Sequence, residues 1–256
     1  MHELFPELAD DDAWTKELFE AVGSHATPVA DDQFLVLTES GGSYTIPNLL
    51  LPPQLDNHGN YIISLSQLCR WLAQKAEELG VEIYSGFAAA EVLIDADSNH
   101  CYGIATRDVG LSKDGQPKAT FERGVELHAR QTLLAEGARG SCSESVMQHY
   151  DLRQNVNPQT YGLGIKEVWQ IPLEKLQPGL VQHTLGFPLQ SGPMDKIFGG
   201  SFLYHQEPDL VLVGLVIGLD CTCDKELFLL ILLANLSPTH PICSLFILSL
   251  TVAHHL

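Results

Sequence analysis

The sequence has few basic residues. It contains 14 lysines and arginines against 32 aspartates and glutamates, a formal net charge of −18 over 256 residues. Phosphate backbones and anionic membrane surfaces repel such a chain unless its basic residues cluster, and no such cluster occurs. We therefore expect no nucleic-acid partner. The acidic excess of the first fifty residues is expected to form a solvated face.

The sequence also lacks the cysteine spacing of a metal or redox site. Its six cysteines stand at positions 69, 101, 142, 221, 223 and 243, and no two form a Cys-x-x-Cys pair. Cys221 and Cys223 form a Cys-x-Cys with no second pair nearby. Reduced, unpaired thiols are therefore expected, and no metal ligand is assigned.

Long apolar runs and targeting signals are missing as well. Residues 227–236 and 242–253 are apolar, but neither run reaches the roughly 20 residues that a membrane-spanning helix needs. The N-terminal residues contain neither a basic region before an apolar run nor an Arg-rich presequence. We interpret residues 221–256 as a divergent hydrophobic tail of alternative or read-through sequence, with a re-entrant hairpin as the other possibility.

The most informative stretch that is present is a turn within residues 132–141. A short apolar run breaks at Glu136 and Gly137 and again at Gly140, which predicts a buried strand at 132–135 ending in a tight, exposed turn. The glycines leave room for a ligand to approach the backbone, and Ser141 can cap a following helix whose N-terminus attracts anions. An ordinary strand-to-helix turn is the alternative.

The residues before this turn predict an α/β fold. Apolar residues recur at three- and four-residue steps over 65–79, which predicts a helix that Ser64 or Ser66 caps at its start and Gly80 at its end. Residues 81–84 read as the next strand, so parallel pairing of the doubly wound type is expected. An antiparallel meander then follows, with strands at 89–96, 102–111 and 120–129.

The residues before and after this doubly wound region predict other kinds of structure. Short helices are predicted within residues 1–24 and a hairpin with an extended loop within 27–55. From Tyr150 the sequence predicts a largely antiparallel domain with strands at 160–169, 180–187, 199–205 and 210–218. The predicted organisation is a connecting, membrane-proximal segment at 1–55, a doubly wound domain at 56–149, a β domain at 150–220 and the tail.

Several strings resemble the electron transfer flavoprotein-ubiquinone oxidoreductase family between about Glu3 and Asp220. They include His58-Gly-Asn-Tyr61, Ala135-Glu-Gly137, Pro158-Gln-Thr-Tyr-Gly162, Lys166-Glu and Gly199-Gly-Ser-Phe-Leu-Tyr-His205. The resemblance implies a mixed α/β and α+β fold: a partial FAD-binding doubly wound domain of the glutathione-reductase type, carrying the β-meander. A mostly antiparallel, ubiquinone-binding β domain follows.

The resemblance also implies an activity. Such an enzyme lies on the matrix face of the mitochondrial inner membrane, takes electrons from reduced electron transfer flavoprotein through FAD and a 4Fe-4S cluster, and reduces ubiquinone. Electron transfer flavoprotein and the membrane lipid surface are the implied partners, and Leu4-Phe5-Pro6 belongs to a segment that dips into the membrane in relatives.

The resemblance assigns four residues to ligand-binding sites. Gly199 and Gly200 match the glycines that lie against the quinone head group, and adjacent glycines allow a flat ring to approach backbone donors. A glycine-requiring β-bulge is the alternative there. Glu136 and Gly137 are placed beside the flavin, and no catalytic side chain is assigned. Tyr204 and His205 are candidate polar groups of the pocket, and the alternative is that each is a buried side chain that satisfies its own hydrogen bond.

Three departures limit the interpretation. A Gly-x-Gly-x-x-Gly loop for the ADP half of FAD is absent, Ser64 stands where an arginine is expected, and the second flavin segment and the cluster cysteines do not follow Asp220. An internal fragment is therefore expected, with cluster ligands outside this chain and doubtful activity alone. Two alternatives stay open: an FAD-dependent monooxygenase or isoprenoid reductase of the same architecture, and a truncated, non-catalytic isoform that binds electron transfer flavoprotein.

Overall fold

The structure is a computed structural model that describes residues 13–22, 26–187, 189–190 and 197–219. The chain divides into two compact units, one from residues 1–80 and 160–256 and the other from residues 81–159. The limits of these units do not coincide with the predicted domain boundaries at 55, 149 and 220. The domain organisation stays a prediction. The tail at 221–256 and Leu4-Phe5-Pro6 lie outside the described residues.

Three helices and thirteen strands are formed by the described residues. The helices are α1 (Ala13–Val22), α2 (Leu65–Glu78) and α3 (Ser141–His149). The strands are β1 (Thr27–Pro28), β2 (Asp31–Leu37), β3 (Ser43–Ile46), β4 (Tyr61–Ile62), β5 (Ala89–Ile94), β6 (Cys101–Thr106), β7 (Val109–Leu111), β8 (Pro117–Glu122), β9 (Glu126–His128), β10 (Gly162–Gln170), β11 (Leu180–Gly186), β12 (Gly199–Gln206) and β13 (Leu210–Gly218).

A six-stranded sheet is the scaffold of the first unit. Its strand order is β10-β13-β12-β11-β2-β3, and every neighbouring pair is antiparallel except β11 and β2, which are parallel. The four strands predicted after Tyr150 and the hairpin of β2 and β3 are confirmed. The short strands β1 and β4 pair separately.

One face of this sheet forms the core of the first unit. Successive side chains of a strand point to opposite faces, and the core face holds the buried Leu180, Leu203, Val211 and Val213. Leu189 and Ile217 form a second buried cluster. Val211, Val213 and Ile217 are alternate residues of β13, and they bury its apolar side chains on this face.

The two helices of the first unit pack on each other. Leu18 of α1 and Trp71 of α2 are only 4% and 3% exposed and form one apolar cluster. The predicted helix at 65–79 is confirmed as α2, which is followed by Gly80 at φ +85°. Glycine adopts this left-handed conformation at a helix C-terminus without steric cost. The predicted serine cap is wrong, because Ser64 holds the cap position without a side-chain hydrogen bond to the helix and its hydroxyl bonds to that of Ser66. Within the described residues no helix has the length and apolar character to cross a membrane.

The second unit consists of two small antiparallel sheets and α3. Strands β5, β6 and β9 form a three-stranded sheet, and β7 pairs with β8. The predicted meander is therefore confirmed, with the segments 102–111 and 120–129 each divided into two strands. Helix α3, predicted to follow the turn at Gly137, lies against β5.

Two predicted strands are wrong. Residues 81–84 and 132–135 form no strand, and Val81 and Leu133 are 52% and 88% exposed. The parallel pairing expected of these segments does not occur among the described residues of the second unit. A strand requires a partner for its backbone donors and acceptors, and an apolar sequence does not supply one. The described fold is mixed α/β with mostly antiparallel sheets.

Candidate functional site

A cavity of about 340 Å³ lies on the face of the six-stranded sheet opposite the core. Its lining comes from four neighbouring strands of the sheet, from the segment that precedes α2 and from Val29, which lies between β1 and β2. The lining residues are Val29, Asn57, Asn60, Tyr61, Ile62, Ile63, Lys166, Val181, His183, Phe202, Tyr204 and Leu212.

Strand register brings the sheet side chains of this cavity together. Tyr204 lies opposite Val181 on one side and Leu212 on the other. Phe202 lies opposite Gly214, and a β-carbon at Gly214 would overlap the Phe202 ring. Glycine at this position therefore allows the ring to lie close to the sheet. The Phe202 and Tyr204 rings stack with centroids 4.9 Å apart and an interplanar angle of 25°.

A hydrogen-bonded pair is the main polar feature of the cavity. The Nε2 atom of His183 and the hydroxyl oxygen of Tyr204 are 2.8 Å apart, and the two rings meet edge to face at 5.5 Å. Burial lowers the pKa of His183 and raises the pKa of Tyr204. Both side chains are therefore uncharged at neutral pH, because burial disfavours the charged form of each.

Asp32 of β2 fixes the chain segment at the edge of this cavity. Its side chain accepts hydrogen bonds from the backbone nitrogen of Asn57 at 2.8 Å and from Nδ2 of Asn57 at 3.2 Å. Ligand atoms of Asp32, Asp56 and His58 lie within 4.8 Å of one another, but a 2.6 Å bond between His58 and Asp56 and the bonds from Asn57 account for this arrangement. No metal ion is assigned to it.

The strands that build the cavity match a known family. The family model described as "ETF-QO, ubiquinone-binding" matches residues 161–225. The human mitochondrial electron transfer flavoprotein-ubiquinone oxidoreductase is 51% identical over 197 residues, 76% of this chain and 31% of that protein. The Arabidopsis thaliana protein of the same name is 53% identical over 195 residues, 75% of this chain and 29% of that protein. The chain belongs to this family.

The match covers only part of the length of the related proteins. The chain spans about a third of the length of these curated relatives. Among solved structures, a myxobacterial FAD-dependent halogenase matches with a TM-score of 0.46 and 14% identity over 84% of this chain and 41% of the halogenase. This similarity is too low to establish a common fold.

The two glycines assigned to ubiquinone by resemblance to the electron transfer flavoprotein-ubiquinone oxidoreductases begin β12. Neither lines the cavity, although strand alternation places Gly200 on the same face as Phe202 and Tyr204. A β-carbon would overlap the carbonyl oxygen of Thr184 at Gly200, and that of Val216 at Gly199. Close approach of neighbouring strands therefore requires both glycines. The register of β12 with β13 continues through them without a shift, so no β-bulge interrupts this pairing.

The candidate pocket residues Tyr204 and His205 lie on opposite faces of β12. Tyr204 lines the cavity. His205 is 1% exposed, and its Nδ1 accepts a hydrogen bond from the backbone nitrogen of Gln177 at 3.0 Å. His205 thus has a structural environment, whereas His183, which the sequence analysis missed, enters the cavity. Sequence alternation indicates that residues 181 and 183 share one face of β11. It does not reveal which residues of β12 lie on the same face of the sheet.

The Glu136 and Gly137 pair, assigned to the flavin by resemblance, belongs to the second unit. The Glu136 carboxylate accepts hydrogen bonds from the backbone nitrogen and hydroxyl of Ser143 at 2.6 and 2.7 Å, and from the backbone nitrogen of Cys142 at 3.3 Å. These bonds lower the pKa of Glu136. The expected cap at Ser141 is wrong, because Gly140 holds the cap position and Glu136 supplies the acceptor.

Gly137 and Gly140 have different structural roles around this carboxylate. A β-carbon at Gly140 would overlap the Glu136 side chain, so glycine there allows the carboxylate to fold back onto α3. Gly137 has φ +78°, and no other atom lies within 4 Å of the position of a β-carbon. The backbone at Gly137 is therefore open to a ligand, as the sequence predicts for this turn.

Proposed function

We propose that this chain contributes the ubiquinone-binding β structure of an electron transfer flavoprotein-ubiquinone oxidoreductase. The enzyme takes electrons from reduced electron transfer flavoprotein and transfers them to ubiquinone. The match of residues 161–225 to the ubiquinone-binding family model carries this proposal. The names of relatives that are about half identical over three quarters of the chain support it.

The quinone ring is proposed to bind beside β12 near Gly199 and Gly200, of which Gly200 lies on the cavity face and Gly199 on the core face. The cavity volume of about 340 Å³ lies within the range of small-ligand pockets, which are mostly apolar with a few polar groups. The lining combines Phe202, Val181 and Leu212 with His183 and Tyr204. Gly200 lies two residues before Phe202 on the same strand face, next to the side chain of Leu185.

FAD is proposed to lie beside the turn of Glu136 and Gly137. The open backbone at Gly137 fits close approach by a flat ring. Glu136 contributes by holding the turn against α3 through Ser143 and Cys142. FAD supplies the redox step that joins electron transfer flavoprotein to ubiquinone. The 4Fe-4S cluster of the family is part of the proposal for the enzyme and is assigned to no residue of this chain.

The lipid surface of the mitochondrial inner membrane, on the matrix side, is the proposed location. Tyr44, Leu49 and Leu50 support it, because they are 71%, 94% and 74% exposed within seven residues of chain. Grouped exposed apolar side chains mark contacts with lipids or proteins. Since the chain carries a net charge of −18, this contact is proposed to be apolar.

Equilibrium dialysis of the purified chain against a ubiquinone with one isoprenoid unit tests the quinone site. We expect saturable binding with one quinone per chain. An isoprenoid alcohol of the same tail length, which lacks the ring, is the control and is expected not to compete. Absence of saturable quinone binding contradicts the proposed site.

A second assay tests the activity. The enzyme containing this sequence is expected to reduce ubiquinone when supplied with reduced electron transfer flavoprotein. Oxidation of NADPH without electron transfer flavoprotein is the contradicting result, because it is the activity expected of a flavin-dependent hydroxylase or isoprenoid reductase.

A further inference from the structure

The hydroxyl of Tyr204 is a rigidly held polar group in the cavity. Stacking on Phe202 fixes the plane of the ring, and the 2.8 Å contact with His183 Nε2 fixes the oxygen. A tyrosine hydroxyl donates one hydrogen bond and accepts two. The contact with His183 uses one of these capacities, so further capacity is left for a ligand in the cavity that Tyr204 lines.

The tautomer of His183 sets the direction of this hydrogen bond. Burial keeps His183 neutral, so one ring nitrogen carries a hydrogen and the other does not. With the hydrogen on Nε2, His183 donates to Tyr204, and the Tyr204 hydroxyl hydrogen is free to point into the cavity. A quinone presents two carbonyl oxygens, which accept hydrogen bonds and donate none, so this tautomer suits it.

Two further charged groups face the pair. Asp32 of β2 acts on both side chains, since its negative charge favours protonated His183 and protonated Tyr204. Its carboxylate is itself held by Asn57. Lys166 of β10 lines the same cavity from the other side. Asp32 therefore helps to keep the hydroxyl hydrogen on Tyr204, and Lys166 places a positive charge near a ring that gains electrons.

We propose that Tyr204, backed by His183, donates a hydrogen bond to one ring oxygen of the quinone and is the proton donor to that oxygen on reduction. This inference rests on the proposed function, to which it adds the residues that bind and protonate the ring.

Reduction of a quinone to a quinol adds two electrons and two protons, and the electrons come from the reduced flavin of the proposed function. The O–H bond of Tyr204 breaks as its proton moves to the ring oxygen. The Nε2 proton of His183 then moves to the Tyr204 oxygen, and His183 takes a proton from water at Nδ1. The second ring oxygen takes its proton from water.

Quinone binding by the Y204F variant tests this proposal without a flavin. Y204F removes the hydroxyl and keeps the ring that stacks on Phe202. In equilibrium dialysis with a one-isoprenoid ubiquinone, we expect Y204F to bind about fivefold more weakly, the effect of losing one hydrogen bond. H183Q, which keeps an N–H donor, is expected to bind within about twofold of the unaltered chain. Y84F, at an exposed tyrosine of the second unit, is the matched control.

Infrared difference spectra of the bound quinone give a readout that a purely structural role does not move. A hydrogen bond lowers the stretching frequency of one ring carbonyl, and we expect this lowered band in the unaltered chain and in Y84F but not in Y204F. Absence of the lowered band in the unaltered chain contradicts the proposal even where Y204F is poorly folded, as judged by circular dichroism.

The results distinguish a failure of this inference from a failure of the proposed quinone site. Quinone binding with no lowered carbonyl band, or with equal affinity in Y204F, overturns the role of Tyr204 and leaves the quinone site standing. Absence of quinone binding in the unaltered chain overturns the quinone site and, with it, the role of Tyr204. Binding that weakens equally in Y204F and Y84F also overturns the inference.

Discussion

Tyr204 and His205 are neighbours in the sequence but occupy different environments, because successive residues of β12 point to opposite faces of the sheet. Tyr204 bonds to His183 in the cavity, whereas His205 accepts a backbone hydrogen bond in the core. Burial lowers the pKa of both histidines. Each therefore remains neutral in the fold at a pH where an exposed histidine begins to gain a proton.

The Glu136 carboxylate gives the residue-scale prediction. Its hydrogen bonds from Ser143 and Cys142 hold its pKa below the usual value of 4.5. This lowered pKa stabilises the fold above the pH at which the unfolded carboxyl titrates, and the stabilisation is lost as the pH falls through the folded pKa. We expect E136Q to lower the thermal midpoint at neutral pH and to flatten its fall in acid.

Circular dichroism melts between neutral pH and about pH 3 measure this effect. E122Q, at an exposed glutamate of β8, is the control and is expected to follow the unaltered chain at every pH. An E136Q midpoint equal to that of the unaltered chain at neutral pH would contradict the assigned cap.

At the scale of elements, the first unit depends on close approach of β11, β12 and β13. A β-carbon at Gly200 would overlap the carbonyl oxygen of Thr184, so a side chain there pushes two strands apart. At Gly164 of β10 the β-carbon would lie 3.9 Å from a methyl group of Val216, an ordinary contact. A side chain at Gly200 is therefore expected to destabilise the sheet, whereas a side chain at Gly164 is expected to be tolerated.

We expect G200A to lower the free energy of unfolding by about 1–3 kcal/mol, the cost of overpacking. G164A is the matched control, and its expected effect lies between none and a gain of about 1 kcal/mol from reduced freedom of the unfolded chain. Urea denaturation followed by far-ultraviolet circular dichroism measures both. Equal stability of G200A and G164A would show that β11 and β12 do not approach as described.

The packing of α1 on α2 gives a second element-scale prediction. Leu18 is 4% exposed against Trp71, whereas Leu79, directly after α2, is 84% exposed. L18A is expected to cost about 2–5 kcal/mol of unfolding free energy through lost burial and a cavity, and L79A less than about 0.5 kcal/mol. Urea denaturation measured by tryptophan fluorescence compares them. A small effect of L18A would mean that α1 is not docked on Trp71.

At the scale of the whole molecule, the net charge of −18 and the exposed apolar group of Tyr44, Leu49 and Leu50 act in opposite directions at a membrane. Anionic lipid repels the charge, and apolar side chains favour insertion among lipid chains. Salt screens the first effect and leaves the second largely unchanged. The balance therefore depends on lipid composition and ionic strength.

We expect the chain to co-sediment more with phosphatidylcholine vesicles than with vesicles containing phosphatidylglycerol, and added salt to reduce the difference. The double variant L49S and L50S is expected to lose most of the binding to phosphatidylcholine. L133S, at a leucine that is 88% exposed in the second unit, is the matched control. Equal loss in L133S would indicate nonspecific adsorption and contradict the proposed lipid-contacting surface.

Part of the candidate site follows from the sequence. Two-residue alternation in β12 places Phe202 and Tyr204 on one face, and the glycines at 137 and 140 predict an open turn followed by a helix. The opposite faces of Tyr204 and His205 follow from the same alternation once the strand is assigned. The partner of Tyr204 does not, since His183 reaches it through the pairing of β11 with β12, which no local pattern specifies.

The sequence by itself determined the elements whose signals are local: α2 with its terminal glycine, the strands β10 to β13, and the hairpin of β2 and β3. Helix caps, turn residues and residue periodicity act over a few positions, so they can be recognised without knowledge of neighbours. Only the tertiary structure decided that β2 pairs with β11 in parallel, that residues 81–84 and 132–135 form no strand, and that His183 meets Tyr204. These outcomes depend on hydrogen-bond partners distant in the chain, and burial, not local propensity, selects among them.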